Sequence, residues 1–339
     1  MIKEAIANIV AGIDLTQLEA SEVMVEIMEG EATDAQLSAF LVALRMKGET
    51  VNEISGLAMT MRDKALSLEI SNPSSLLDTC GTGGDSLSTF NISTAAALVA
   101  AGADIKIAKH GNRAASSSSG SADVLETLGV KIDLGPTEVA KSIEDAGIGF
   151  MFAPRFHPAM RYAAGPRREI GLRTIMNILG PLTNPAKAGH QIVGVADGSI
   201  VEIVANVLAE LGAKHAIVVH GDDGLDEISL SGSSTIVEYK DGKTSWMKVN
   251  PEKLGLTVAS IDQIRADGAT SSAGILTDIL DGQKGAHRDV VLLNAGAALL
   301  ASDLVSSLED GVQAAKESID SFSARSHLES FIKVTNSFS

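Results

Sequence analysis

The sequence predicts a helical N-terminal unit followed by a larger α/β lobe whose strands are joined by crossover helices. Three observations carry this reading. One helix-start signature recurs three times in the first 55 residues, and short apolar runs alternate with helical stretches from residue 76 onward. The 339 residues also exceed the roughly 250–300 at which a single hydrophobic core stops growing.

The recurring signature is the capping box, in which a Thr side chain and a Glu or Gln three residues later satisfy each other's main-chain amides. It occurs as Thr16 with Glu19, Thr33 with Gln36 and Thr50 with Glu53. After the second box Leu37, Phe40, Leu41 and Leu44 follow helical spacing, and after the third Ile54, Leu57, Ala58 and Met61 repeat it. Such stripes need partners, so a small bundle is expected up to about residue 68. The turn-rich Ser71-Asn72-Pro73-Ser74-Ser75 then marks a boundary or hinge.

Beyond it, 76–80 reads as a strand ending in a glycine-rich loop, 92–101 as a helix closed by Gly102, and 105–108 as the next strand. Further strands are expected at 192–195 and 216–219. A last one at 235–239 leads through Asp241-Gly242 to a hairpin return near Trp246.

Composition narrows the function. A formal charge of −16 repels nucleic acid and anionic lipid, so any anionic ligand requires a locally basic site. Aromatic residues, at 3%, are too few for base-stacking platforms. One cysteine, Cys80, excludes an intrachain disulfide and a multi-cysteine metal site, and suits a reducing cytoplasm. Lys3 and Glu4 interrupt the apolar N-terminus, which is no secretory signal, and no run of 18 apolar residues occurs.

Three stretches concentrate chemistry. Asp78-Thr79-Cys80-Gly81-Thr82-Gly83-Gly84-Asp85 ends the first strand with three glycines, which let main-chain amides approach a phosphate. Alone it is more often a tight turn. Asn91-Ile92-Ser93-Thr94 then opens a helix, where hydroxyls and the helix dipole favour an anion, although Asn91 or Ser93 could simply cap it. Lys109 to Ser121 holds two cations and five hydroxyls in thirteen residues, and Ser116-Ser117-Ser118-Ser119 reads as a loop closing over phosphates. His110 has no identifiable partner and stands equally well as structural. Further on, Gly221-Asp222-Asp223-Gly224-Leu225-Asp226-Glu227 offers hard oxygen ligands suited to Mg²⁺, or an acidic surface turn. Which of its carboxylates would bind stays open from the residues alone.

These blocks resemble the anthranilate phosphoribosyltransferase family in order and spacing. The resemblance rests on Gly81-Thr82-Gly83-Gly84-Asp85, Asn91-Ile92-Ser93-Thr94, Lys109-His110-Gly111-Asn112-Arg113, the segments 165–174 and 177–185, and Asp226-Glu227. One departure is Ser86-Leu87-Ser88, where the family more often carries glycine, which bears on the mobility of that loop. The resemblance implies a fold of the class II nucleoside phosphorylase type: a helical domain, 1–70, onto which helices near 165–185 pack, and an α/β domain, 74–339, with a central mixed sheet flanked by helices.

It further implies transfer of a phosphoribosyl group from phosphoribosyl pyrophosphate to anthranilate in a cytoplasmic homodimer joined through the helical domain. The sugar donor would contact Gly81, Gly84, Asp85, Thr89, Asn91, Ile92, Ser93 and Thr94. On the second loop it would contact Lys109, His110, Gly111, Asn112, Arg113, Ala114, Ala115, Ser116, Ser117 and Ser121. Anthranilate would meet Gly81, Asn112, His157 and Arg167, the last as carboxylate partner, although an Arg167-Arg168 pair on a helix is by default a surface ion-pair site. Two Mg²⁺ would be held by Asp226 and Glu227, with the Ser93 hydroxyl serving the second. A pyrimidine nucleoside phosphorylase shares the architecture, but the Arg167 block and the Asp226-Glu227 pair argue against it. A nucleic-acid-binding relative is disfavoured by the charge.

Overall fold

In the computed structural model the residues described are 1–114 and 118–338. Four helices come first: α1 (Ile2–Val10), α2 (Gln17–Met28), α3 (Asp34–Lys47) and α4 (Val51–Lys64). All three capping boxes form, with Thr16, Thr33 and Thr50 each accepting from the third residue on and receiving the return bond. Both apolar stripes are buried. The helix α1 has no such signature, since Met1 caps it without a side-chain bond; Ile2, Ala5 and Ile9 fasten it to the bundle.

Glu53 does more than close its own box. Fully buried, it accepts the amides of Leu15 at 3.0 Å and Thr50 at 2.8 Å and pairs with Lys47 at 3.0 Å. The turn before α2 is thereby fixed to the start of α4.

The chain then forms β1 (Leu77–Gly81), α5 (Ile92–Ala101), β2 (Ile107–Gly111), α6 (Ser121–Thr127), α7 (Pro136–Ala146) and β3 (Ile148–Phe152). The short α8 (Ala153–Phe156) leads into α9 (Arg161–Ile170) and α10 (Ile175–Leu182), which share one core with α1–α4 through Ala163, Ile175, Met176 and Leu179. The chain returns as β4 (His190–Gly194), α11 (Val201–Glu210), β5 (His215–Gly221), β6 (Ser234–Lys240) and β7 (Lys243–Val249). It ends with α12 (Ala269–Leu280), α13 (Ala286–Ala301), α14 (Leu308–Asp320) and α15 (Ser323–Asn336).

The seven strands lie in the order β3-β2-β1-β4-β5-β6-β7, parallel from β3 to β5 and antiparallel thereafter. The sheet is therefore mixed, with helices on both faces. Winding runs outward from β1 in one direction and then, from β4, in the other, so β1 and β4 flank the point of reversal. The expected hairpin forms, with Asp241 and Gly242 both at positive φ.

The differences from the sequence reading have physical causes. β2 begins two residues late and runs on through Lys109 and His110, which are buried at its end, where an apolar-run criterion stops short. β3 escaped that reading because Gly149 interrupts its apolar run. A Cβ there would lie 2.9 Å from the Val139 carbonyl and 2.6 Å from Ile143, so glycine lets α7 lie against the strand. Gly102 does end α5, but at φ −65 rather than in a left-handed cap. Its role is close packing, since a Cβ would sit 2.5 Å from the Ala324 amide.

No helix among the described residues is long and apolar enough to cross a membrane. Replacing Glu53 by Ala strands two main-chain amides and should destabilise the helical unit by about 2–4 kcal/mol, at roughly 1–2 per lost partner. Denaturant unfolding followed by circular dichroism reads this, and an unchanged midpoint would mean that the amides find other acceptors.

Candidate active site

Open α/β sheets bind ligands outside the carboxyl ends of their strands, where the winding reverses. Here that place is the mouth between Gly81 of β1 and Gly194 of β4, which are paired in register. Both glycines are required by what crosses them. A Cβ on Gly194 would fall 1.6 Å from the Asp226 carbonyl oxygen, and one on Gly81 would fall 2.6 Å from its carboxylate. Asp226 Oδ2 in turn accepts the Gly83 amide at 2.7 Å.

The loop after β1 turns through left-handed Gly83 and Gly84, then through Ser86 (φ 61) and Ser88 (φ 56). Left-handed backbone costs a non-glycine residue about 1–2 kcal/mol, and these are the serines where the sequence departs from glycine. Bonds from Phe90 to the Ile264 carbonyl, 3.1 Å, and from Ala266 to the Ser88 carbonyl, 3.0 Å, hold the loop against the segment before α12. Thr89 completes that contact as a bridge to Arg265.

Beneath the loop lies a layer of ionisable groups. Asp78, wholly buried, accepts from Asn184 at 2.7 Å and from the His110 amide at 3.1 Å, and burial pushes its carboxyl up. Lys109 was expected to present its charge to phosphate. Instead its ammonium is buried and donates to the Thr79 carbonyl and hydroxyl, close enough to Asp78 and Glu227 to offset part of the burial that lowers its own pKa.

Asp226 and Glu227 are half-buried at the rim. Burial comes first and neighbouring carboxylates second, with Asp85 acting on Asp226 and Asp226 on Glu227, in raising both well above the usual carboxylate range. Hard oxygens crowded together, with Lys109 offsetting only part of the strain on Glu227, make a donor set that fits Mg²⁺. The neighbouring Asp223 is taken by the Ser229 and Ser231 hydroxyls, and Asp222 pairs with Lys248 at 2.6 Å, which separates them from Asp226 and Glu227.

The N-terminus of α5 also differs from expectation. Asn91 stands at the cap position but makes no capping bond; its carboxamide braces Ser272, 2.8 Å, and Ser119, 2.7 Å. Glu227 faces this helix end, and the Ser93 amide offsets a small part of the burial that raises its carboxyl. Ile92 and Ser93 line the crevice, as do Asp85, Thr89, Gly111, Ala114 and Ser121, whereas Thr94 is buried behind it with its hydroxyl unpartnered. Arg113 lines the crevice too, but its guanidinium is paired to Asp123 at 2.9 Å and Glu126 at 2.8 Å on α6. Ala115, Ser116 and Ser117 lie outside the described residues.

The crevice, of about 290 Å³, opens into a second hollow of about 470 Å³ between α8, α9 and α10. They share the wall formed by Gly81, Thr82, His110, Gly111, Asn112 and Arg113. Arg167 lines the second hollow, half-buried; burial alone lowers its pKa and it forms no ion pair among the described residues. The surface ion-pair alternative for Arg167 therefore does not hold. A larger hollow of about 520 Å³ beside α13 lies away from these groups, and its buried cation, Arg288, is consumed by Asp320 at 2.6 Å.

Sequence reasoning assigned no role to Thr82, Asn177 or Arg173, all of which line the crevice. Asn177 and Arg173 stand inside the recognised 165–185 blocks, so a signal was present.

His110 and His157 meet in the second hollow, ring centroids 5.0 Å apart. His157 Nε2 bonds the Thr183 carbonyl at 3.1 Å, while His157 Nδ1 and His110 Nε2 are buried without partners among the described residues. Burial lowers His110 from 6.5 to about 3 and His157 to about 4, so both are neutral when folded. Unfolding takes up protons wherever unfolded histidine titrates and these do not, so stability should fall as pH drops from about 6.5 towards 4. Replacing both with Asn should flatten the denaturation midpoint against pH in that window; an unchanged slope would mean that they are charged in the fold.

Comparison with known proteins agrees with this geometry. Residues 73–325 match the profile of the glycosyl transferase family, a/b domain, and residues 3–65 that of the glycosyl transferase family, helical bundle domain. The chain is 54% identical over 336 residues to an anthranilate phosphoribosyltransferase of Chloroflexus aggregans, covering 98% of each chain. It is 52% identical to that of Symbiobacterium thermophilum, covering 99% of this chain and 98% of the relative. Among solved structures, anthranilate phosphoribosyltransferase of Thermus thermophilus superposes with a TM-score of 0.93 at 41% identity, over 98% of this chain and 99% of that one. That of Saccharomyces cerevisiae, in complex with PRPP and Mg, superposes at 0.90 with 28% identity over 99% and 98%. With relatives this similar along its whole length, the chain belongs to the anthranilate phosphoribosyltransferase family.

Proposed function

We propose that the protein transfers the 5-phosphoribosyl group of phosphoribosyl pyrophosphate to the amine of anthranilate, giving N-(5-phosphoribosyl)anthranilate and pyrophosphate, as a Mg²⁺-dependent step of tryptophan biosynthesis. The observation that carries this is the shared wall: a phosphate-sized polar crevice meets, edge to edge, a less polar hollow holding one uncompensated arginine. An anionic sugar donor and an aromatic carboxylate need those two environments, with the reacting carbon and amine at the junction.

At that junction the C1–N bond forms as the C1–O bond to pyrophosphate breaks, and the amine's extra proton leaves to solvent or pyrophosphate. The neutral aromatic amine carries its own lone pair, so positioning and charge stabilisation supply the acceleration, with no obligatory general base. Arg167 would orient the carboxylate through a two-pronged bond. His110 Nε2 and His157 Nδ1, which have no partner among the described residues, would accept the amine's N–H and turn it towards Gly81 and Asn112. The glycine-loop amides, Thr89, Ser93 and Ser121 would receive the phosphate oxygens. The described parts of the second loop that line the crevice, 111–114 and 119–121, would cover them and exclude water.

Asp226 and Glu227, with the Ser93 hydroxyl, would hold two Mg²⁺ ions, which when bound screen the charge of the departing pyrophosphate. Lys109 keeps the carboxylate layer tolerable before any cation arrives. The division into 1–70 and 74–339, action in the cytoplasm, and a homodimer through the helical domain belong to the same reading. The exposed Val10, Ile13, Leu18 and Met46 on that domain are the apolar surface such a dimer would cover.

Anthranilate fluorescence tests the reaction. Loss of signal with donor and Mg²⁺, abolished by EDTA, is expected; no loss, with phosphorolysis of a pyrimidine nucleoside instead, would replace this reading. Arg167→Ala should raise KM for anthranilate about tenfold or more, the cost of one charged hydrogen-bond partner, and that for the donor much less; equal effects would remove Arg167 from the acceptor pocket. Asp226→Asn should shift the Mg²⁺ requirement of the initial rate upward, and an unchanged titration would remove it from the metal site.

A further inference from the structure

The stretch joining α9 to α10 carries a second arginine into the site. Arg173 lays its guanidinium across the glycine loop so closely that Nη1 would lie 1.3 Å from a Cβ on Gly84. Its one bond among the described residues is long, Nη2 to the Thr82 carbonyl at 3.5 Å. Apart from Arg167 of the acceptor hollow, three other arginines are engaged. Arg62 bonds the Leu182 and Leu211 carbonyls at 2.7 and 3.0 Å, Arg113 grips two carboxylates, and Arg288 holds Asp320.

Arg173 lines the phosphate crevice and also an adjoining hollow of about 190 Å³ that reaches Arg45 at the end of α3. An unengaged guanidinium, a glycine loop shaped to admit it and a cleft rimmed by amides and hydroxyls together describe half of an anion site.

We propose that Arg173 binds the diphosphate of the sugar donor, the end that leaves, and stays on it as pyrophosphate departs. This rests on the function proposed above and deepens it. Arg167, six residues earlier in the last turn of α9, faces the acceptor hollow. One segment packed on the helical domain would then grip the acceptor's carboxylate with one arginine and the leaving group with the other.

Arg173 is exposed and nearly unbonded, so its variants should fold. The test is calorimetric titration of magnesium pyrophosphate into the wild type, Arg173→Gln and Arg173→Lys, with steady-state kinetics beside it. Arg173→Gln should weaken pyrophosphate binding about tenfold or more, as loss of a charge-assisted bond does. It should raise KM for the donor in parallel and leave KM for anthranilate within about twofold. Arg173→Lys, which keeps the charge and loses the fork, should fall between. Unchanged pyrophosphate affinity in Arg173→Gln, with the wild type turning over, overturns the inference and leaves the function standing. An equal rise in both KM values also overturns it, because Arg173 would then act through lobe packing. A wild type that neither turns over nor binds pyrophosphate defeats the proposed function, and this inference with it.

Discussion

The arrangement depends on one steric condition: the ends of β1 and β4 must be bare of side chains where the loop after β5 crosses them. The Asp226 carbonyl passes over Gly194 at a distance no Cβ allows, and the Asp226 carboxylate comes down on Gly81. Because these strands are register partners, the approach is made at the one place in the sheet where winding reverses and a crevice opens. Asp226 and Glu227 arrive through that crossing and meet Asp85 of the glycine-rich loop. A methyl group on Gly194 would displace main chain rather than a flexible side-chain end, so the adjustment would propagate into Glu227 and the α5 terminus it bonds.

Charge is arranged on the same principle of making some groups unavailable. A chain of net charge −16 that takes up polyanions cannot rely on its overall field, and its local cations are not interchangeable. Lys109 is committed below the loop, where it offsets Asp78 and Glu227, and Arg113 is committed to α6. What remains open to ligands is a cluster of carboxylates short of positive charge and two arginines short of negative charge. The carboxylates and Arg173 line one crevice and Arg167 lines the hollow that adjoins it, so a metal-bound diphosphate in the crevice would meet charge of both signs.

Much of this was legible in sequence where the determining interactions are local. Thr16, Thr33 and Thr50 cap their helices from three residues away, Asp241-Gly242 closes its hairpin with two left-handed residues, and the glycine-rich loop falls at a strand end. Where tertiary partners decide, the reading was incomplete. His110 belongs to β2 although it is polar, because Asp78 and His157 bury it. Glycine at 102, 149 and 194 answers to a neighbouring backbone rather than to its own φ. Lys109 and Arg113 read as phosphate cations because spacing gives proximity and not direction, whereas Arg173 lay inside a recognised block with nothing local to say that it points at Gly84.

The two lobes are tied in a way that bears on catalysis. Arg62, near the end of α4, is buried and bonds the Leu182 and Leu211 carbonyls and, at 3.3 Å, the Gln191 side chain of β4, fixing the base of the helical domain to the sheet. The core of that domain runs on without a break into Val193, Val195 and Val218 on one face of the sheet. A joint so well packed resists sliding, since close-packed interiors transmit displacement rather than absorb it. Relative motion is therefore left to the parts that lack such packing, namely the 171–174 connection and the rim of the acceptor hollow, where Arg167 and Arg173 reach across on side chains that carry no ion pair. A rigid base with two cationic side chains at the mouth would let ligand charge draw on the site without disturbing the fold that positions it.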